Sequence, residues 1–356
     1  MNTFGNKIKV TVFGQSHAEA IGVVIDGLPS DFEVNTERVQ AFLYRRAPGK
    51  NVFSTTRKEG DKVQFVSGLY NGKTCGAPLC AVIVNSDRHS KDYSELEAKM
   101  RPSHADYPAN VKYTNYDVRG GGQFSGRLTA PLCIAGAVIM QMLEEKGVYI
   151  GAHILSVGGI CDDAFDNTCL DVEYVKSAQN KDFPVLNDEK GEKMKAKILE
   201  AKENLDSVGG SIECMITGLG VGVGEPMFDG LENVISHSVF AVPAVKGIEF
   251  GAGFEVSERF GSQNNDSYFY ANDGSVKTLT NNAGGICGGL STSMPVNFNV
   301  CIKPTPSIAK AQKTVNIKTG KDDVLEIKGR HDPCIVQRAV PCIEAAAAIA
   351  VCQFLL

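Results

Sequence analysis

The sequence predicts an α/β fold built around one common core. Three observations carry this. The first third is rich in short apolar runs bounded by Gly, Pro or Asn, as strand ends are. Two long helical stretches are apolar on nearly every face, which means burial on more than one side. One order of features (Gly, β-run, Gly-Leu, loop, amphipathic helix) occurs twice, in "IGVVIDGLPSDFEVNTERVQAFL" and "GGSIECMITGLGVGVGEPMFDGLENVISHSVF". That echo reads as duplicated β-β-α units rather than two independent domains, and no Pro- or Ser-rich linker divides the 356 residues.

The elements follow in order. "KIKVTVFG", "IGVVIDGLP", "KVQFVSGLY" and "APLCAVIVN" read as strands. Between the second and third, "NTERVQAFLYRR" offers Asn35 or Thr36 as a cap, followed by Val39, Phe42 and Leu43 at helical spacing. "TAPLCIAGAVIMQMLEEKG" predicts a buried helix stopped by Gly147. Residues 186–205 are charged and helix-prone, a solvated helix. "PCIEAAAAIAVCQFLL" predicts a last core helix starting at Pro341, where a missing N–H costs nothing.

Composition narrows the function. A formal net charge of −5 argues against nucleic acid, which needs a basic surface. The eleven cysteines are scattered singly, among them Cys75, Cys133, Cys214 and Cys301, with no C-x-x-C pair. They read as buried thiols in a reducing compartment, with no zinc or dithiol site. No signal-like segment opens the chain, and no run reaches ~18 uninterrupted apolar residues, so the expected location is cytoplasmic, with no membrane partner.

Three glycine clusters stand out: "RGGGQFSGR", "GLGVGVGEP" and "GGICGGLSTS". None matches a P-loop or dinucleotide fingerprint. In the first, Arg119 and Arg127 flank mobile backbone and Ser125 just before a helix, an arrangement suited to an anion. Arg45, Arg46 and Lys50 near one helix end, and Lys303, Thr305, Ser307, Arg330, His331 and Asp332 farther on, make an anion site only if the fold gathers them. His17-Ala18-Glu19 is half of a zinc-deaminase signature, but the P-C-x-x-C half is missing. His153 and His237, among apolar neighbours, read as structural. His17 in "GQSHAE" and His104 in "RPSHADY" share Ser-His-Ala-acid turns and are the candidates for acid catalysis.

Taken together, "FGQSHAEAIGVVIDGLP", "RPSHADY", "SGRLT", "NNAGGICGG", "KPTPS" and "GRHDPC" resemble the chorismate synthase family, in its order and spacing, from about residue 4 to residue 350. The resemblance implies a single-domain α+β sandwich over residues 1–356, with antiparallel sheets around a helical layer, internal pseudo-symmetry and a homotetrameric assembly. It implies anti 1,4-elimination of phosphate from 5-enolpyruvylshikimate 3-phosphate, with reduced FMN required and NADPH at most an indirect source of electrons. By the same resemblance His17 protonates the leaving phosphate and His104 stands beside the flavin. Asp332 with Ser16 relays the substrate proton through flavin N5. Arg46, Arg127 and Arg330 hold the substrate's anionic groups. Ser125, Ala244, Gly288, Lys303, Thr305, Ser307 and Arg330 line the flavin site.

The chain departs from the family pattern at Ala47, Gln123, Phe124, Leu128 and Pro243. Ala47 and Gln123 stand where the family carries arginine. Each charge-assisted contact to an anion is worth ~1.5–3 kcal/mol, so two losses imply weakened ligand binding unless cations such as Lys50 substitute. Two other functions would use the same residues: net electron transfer by a flavin oxidoreductase, and ligand binding without catalysis.

Overall fold

A computed structural model of the protein describes residues 1–49, 60–85, 95–327 and 332–356. Two five-stranded sheets, antiparallel throughout, enclose a helical layer. The first holds β1 (Thr3–Phe4), β2 (Lys9–Gly14), β3 (Ala20–Asp26), β4 (Gln64–Ser67) and β5 (Leu79–Val84), in the order β1-β2-β3-β5-β4. Alternation decides its faces. Ile21, Val23 and Ile25 pair with Ile83, Ala81 and Leu79, and all six are buried.

The second sheet holds β6 (Tyr149–Val157), β7 (Ile160–Cys161), β8 (Gly210–Thr217), β9 (Val245–Phe250) and β10 (Val296–Ile302), in the order β9-β10-β8-β6-β7. Ile212, Cys214 and Ile216 of β8 meet Ile154, Ala152 and Ile150 on one side and Val300, Phe298 and Val296 on the other.

Six helices are used below: α1 (Thr36–Arg46), α2 (Asp106–Lys112), α3 (Thr129–Glu145), α4 (Asp188–Glu203), α5 (Leu231–Val239) and α6 (Val336–Leu355). Of these, α3 packs on the first sheet, α6 on the second, and the two pack on each other. The sequence echo is real topology. β2-β3-α1-β4-β5-α3 in the first half and β6-β8-α5-β9-β10-α6 in the second place equivalent strands and helices in the same relative order. One hydrophobic core takes side chains from both sheets and from the helices between them.

Local chemistry explains the helix ends. Asn35 caps α1, its side chain accepting from Arg38 N at 2.9 Å. Gly147, at φ 77, follows α3 as expected. Asn187 caps α4, whose buried residues are only Gly191, Met194 and Ile198. The last helix is a correction: α6 begins at Val336, with Pro341 inside it. Its first turn is closed by the Arg338 and Ala339 N–H groups on Ile335 O, and Val336, Ala339 and Val340 are buried. The thiols need correcting too. Cys133 and Cys214 are buried, but Cys75 and Cys301 are exposed, Cys301 because it falls on the outward alternation of β10. By length and composition α6 and the stretch Arg119–Glu145 would span a bilayer, but both are mostly buried within the protein.

His153, in β6, is fully buried, with Nε2 2.8 Å from Glu213 and Nδ1 3.3 Å from Asp162. Burial disfavours the charged ring, but the two carboxylates outweigh it and raise the pKa above 6.5, while Asp162 is held below 3.8 by His153 and backbone N–H groups despite its own burial. The imidazolium therefore adds stability that is complete below pH 6.5 and is lost as pH rises through the raised folded value. The Asp162 share is present above pH 3.8 and is lost on acidification. The difference in unfolding free energy between wild type and His153→Gln, from urea titration, should accordingly be widest from pH 4 to 6.5, at about 3–5 kcal/mol, and shrink on the alkaline side. A gap that does not vary with pH would mean that the ring is not held charged.

A second prediction concerns the helix pair. A Cβ on Gly136 would stand 2.3 Å from Ala345 Cβ and 2.4 Å from its Cα. Gly136→Ala improves helix propensity by about 1 kcal/mol, but overpacking against backbone costs about 1–3 kcal/mol or more. The variant should be net destabilised, seen as a lower urea midpoint.

Candidate active site

A cavity of about 570 Å³ opens where α1 ends, α3 and α6 begin, and the chain leaves α5. Arg46, Arg101, Arg127, Arg338 and Lys303 contribute to its wall, together with His104, Ser125, Thr305, Ser307 and Asp332. The starts of α3 and α6 both border the cavity, so the positive ends of two helix dipoles point toward it.

Each cation is held in place. Arg46, 2% exposed, donates to Asp61, to Thr129 Oγ1 and to Gly126 O, each at 3.0 Å. Arg127 pairs with the other oxygen of Asp61 and donates to Asn85 Oδ1 at 3.2 Å. Although burial acts to raise it, the pKa of Asp61 lies below the ordinary carboxylate value because of Arg46 and Arg127. Arg338 pairs with Asp332 and donates to Arg46 O at 3.1 Å. Lys303 donates to Ser103 O at 2.8 Å, and burial, with Lys246 nearby, lowers its pKa.

The histidines take different positions. His104 lines the cavity, with Nδ1 2.6 Å from Asp106 Oδ1. His17 and Ser16 lie one layer behind the lining, against the turn Gly120–Gly122. A Cβ on Gly120 would stand 2.3 Å from Ser16 Oγ and 2.7 Å from His17 Cε1. Gly120 and Gly121 have φ 58 and 85, so they supply both the left-handed backbone and the room. Ser16 N fixes the turn by donating to Gly122 O at 3.1 Å. Two non-glycine wall residues also have left-handed backbone, Ser103 at φ 57 and Ala244 at φ 77. Such strain costs ~1–3 kcal/mol and concentrates at functional sites.

Of the residues singled out in the sequence, Arg46, His104, Ser125, Arg127, Ala244, Lys303, Thr305, Ser307 and Asp332 line the cavity, and His17 and Ser16 back it. Gly288 does not join them: it lies in the hairpin joining Ile286–Cys287 to Leu290–Thr292. Arg330, His331 and Lys50 fall outside the described residues. Arg119 turns away to pair with Asp117 at 2.8 Å, and Arg45 pairs with the buried Glu344. Among the departures, Gln123, Phe124 and Pro243 are in the wall. Ala47 instead caps α1, is 8% exposed and is not part of the lining, and Leu128 packs against the core.

Sequence reasoning missed Asp61, Arg101 and Arg338. Arg101 had a signal, since it opens "RPSHADY". Asp61 and Arg338 had none, because their partners are distant in the chain or meet only across a helix end.

The family model described as chorismate synthase matches residues 8–356. A chorismate synthase of Methanocaldococcus jannaschii is 41% identical, covering 100% of this chain and 96% of that protein. One of Lancefieldella parvula is 45% identical, covering 98% and 94%. A crystal structure of chorismate synthase superposes with a TM-score of 0.77 at 25% identity, covering 99% of this chain and 93% of the other. The chain belongs to the chorismate synthase family.

Proposed function

We propose that the chain converts 5-enolpyruvylshikimate 3-phosphate to chorismate by anti 1,4-elimination of phosphate, in the shikimate pathway, as a lyase that uses reduced FMN. The observation that carries this reading is the convergence of five cations and His104 on one cavity, with His17 directly behind it. Such a wall suits anionic ligands that need a proton donor. Its volume, about 570 Å³, is within the usual range for small-molecule and cofactor sites.

The fit to a flavin phosphate rests on one side chain in particular. Thr305 Oγ1 is buried in the wall with no hydrogen-bond partner among the described residues, and such an atom calls for a ligand. Ser125, Lys303, Thr305 and Ser307 would hold the cofactor. When bound, reduced FMN supplies electron density that assists phosphate departure.

The chain's own residues do the rest. Arg46 and Arg127 would bind the substrate's anionic groups, and their ties to Asp61 set the guanidinium planes beforehand. His17 would hold the proton for the leaving phosphate, and Nε2 of His104 would be the position that exchanges a proton with the cofactor. Asp332, paired with Arg338, would together with Ser16 relay the substrate proton. The C–H bonding pair becomes one double bond of the product diene, the existing π pair shifts to the carbon that loses phosphate, and the C–O pair leaves with phosphate.

Assembly as a homotetramer in the cytoplasm completes the reading. It is supported by exposed Phe254, Phe260, Tyr268 and Tyr270 and by eleven free thiols. NADPH enters only as an indirect electron source.

The direct test is chorismate absorbance under anaerobic conditions with reduced FMN and the enolpyruvyl substrate. His17→Ala should lower kcat by roughly 10²–10⁴-fold. Turnover equal to wild type would remove His17 from the acid role. No chorismate from wild type at any substrate concentration would favour ligand binding without catalysis, and steady NAD(P)H consumption without chorismate would favour an oxidoreductase.

Position 123 provides a separate test. Gln123 is in the wall and Ala47 is not, so Gln123→Arg is the substitution that adds a cation to the cavity. It should lower the substrate KM by about 10-fold, with kcat little changed, if one charged contact forms. A KM unmoved by Gln123→Arg would mean that the side chain does not reach the substrate.

A further inference from the structure

The loop before α2 and the first residue of that helix form a buried arrangement that the proposed chemistry does not itself require. Asp106, 1% exposed, receives four hydrogen bonds or contacts. Arg101 donates to it through Nε at 2.6 Å, through Nη2 at 2.7 Å and through its backbone N at 3.2 Å. His104 Nδ1 lies 2.6 Å from Oδ1. Arg101 is anchored in turn, donating to Ser307 Oγ at 3.3 Å across the cavity wall.

This arrangement restricts the imidazole. Arg101 and His104, opposing burial, hold the Asp106 pKa far below the ordinary carboxylate value, so the carboxylate only accepts hydrogen bonds. Nδ1 of His104 must therefore be the donor. Nε2 makes no hydrogen bond among the described residues and lies against Gly121, where a Cβ would come within 3.2 Å of it. The remaining groups around the ring do not compete for Nδ1. Tyr116 donates to Gly121 O at 3.1 Å, and burial, with Asp106 nearby, pushes its pKa up to about 12. Lys303 is turned to Ser103 O, and His17 sits behind Gly120.

We infer that Asp106, clamped by Arg101, is a positioning residue that fixes His104 as the Nδ1–H tautomer and keeps Nε2 as its one exchangeable position toward the cavity. The inference rests on the proposed function for its catalytic meaning, though not for its geometry. A carboxylate in this relation to histidine sets ring orientation and supports the imidazolium when it forms. Asparagine at 106 would offer an N–H to Nδ1 and force the proton onto Nε2. It would also leave Arg101 as an unpaired cation beside the ring.

The test uses the full chain labelled with ¹⁵N-histidine. The His104 signals are assigned by their loss in His104→Gln, and the tautomer is read from two-bond ¹H–¹⁵N correlations. Wild type should show Nδ1–H, and Asp106→Asn should show Nε2–H. In the anaerobic assay Asp106→Asn should lower kcat by about 10²-fold or more, with KM within a few-fold of wild type.

Nε2–H in wild type would overturn the inference. So would a folded Asp106→Asn, judged by its urea midpoint, whose His104 tautomer and kcat match wild type. If Asp106→Asn does not fold, the wild-type spectrum decides the question alone. A wild type that makes no chorismate would defeat the functional reading, while the tautomer would still test the positioning.

Discussion

The close approach of α3 and α6 is the constraint on which the rest of the structure depends. Gly136 against Ala345 leaves no room for even one added carbon, and the fully buried run Ala345–Ala348 extends the seam. Small residues let the two helices pack this tightly while each keeps an apolar face for its own sheet. Because both helices begin at the cavity, their separation also sets the distance between Arg127 and Arg338. Core packing and site geometry are thus one problem, and a change in the seam reaches the cations through rigid helices.

The second organising feature is that the site's charges are matched within the protein. Asp61, Asp106 and Asp332 each hold one or two arginines of the wall. An isolated buried guanidinium would be severely destabilising, whereas pairing offsets much of that desolvation cost and fixes its plane. Among the described residues five cations meet three carboxylates, so the wall keeps a positive surplus for an anion. Lys303 has no carboxylate among its described hydrogen bonds and is tied only to a carbonyl.

Much of the fold was legible in the sequence, because alternation and helical periodicity report local burial directly. Ile21, Val23 and Ile25 announced their strand, and the Gly-Leu echo marked equivalent elements of the two halves. Pro341 misled because its preferred place is the first helical turn, and the polar Gln337 and Arg338 before it hid a turn that packing completes. In the site, His17 and His104 were visible from their turn-forming neighbours. The roles of Asp61 and Arg338 were not, since an ion pair between distant segments leaves no periodic trace. Gly288 shows the converse: a glycine-rich motif marks tight backbone without saying which cavity, if any, it faces.

The internal repeat has a consequence for recognition. The cavity lies where the two halves meet, and corresponding segments face it: Arg46 and Pro48 after α1, and Phe240 to Ala244 after α5. A cradle made from two identical halves would have no top or bottom, and a ligand could enter it either way round with equal energy. At these matched segments the first half presents a guanidinium and a proline, and the second a phenyl ring, a proline and short aliphatic groups. The repeat supplies the enclosing shape, and the divergence of its two ends gives that shape a polarity, so a molecule with one charged end and one apolar end has a single orientation in which both are satisfied.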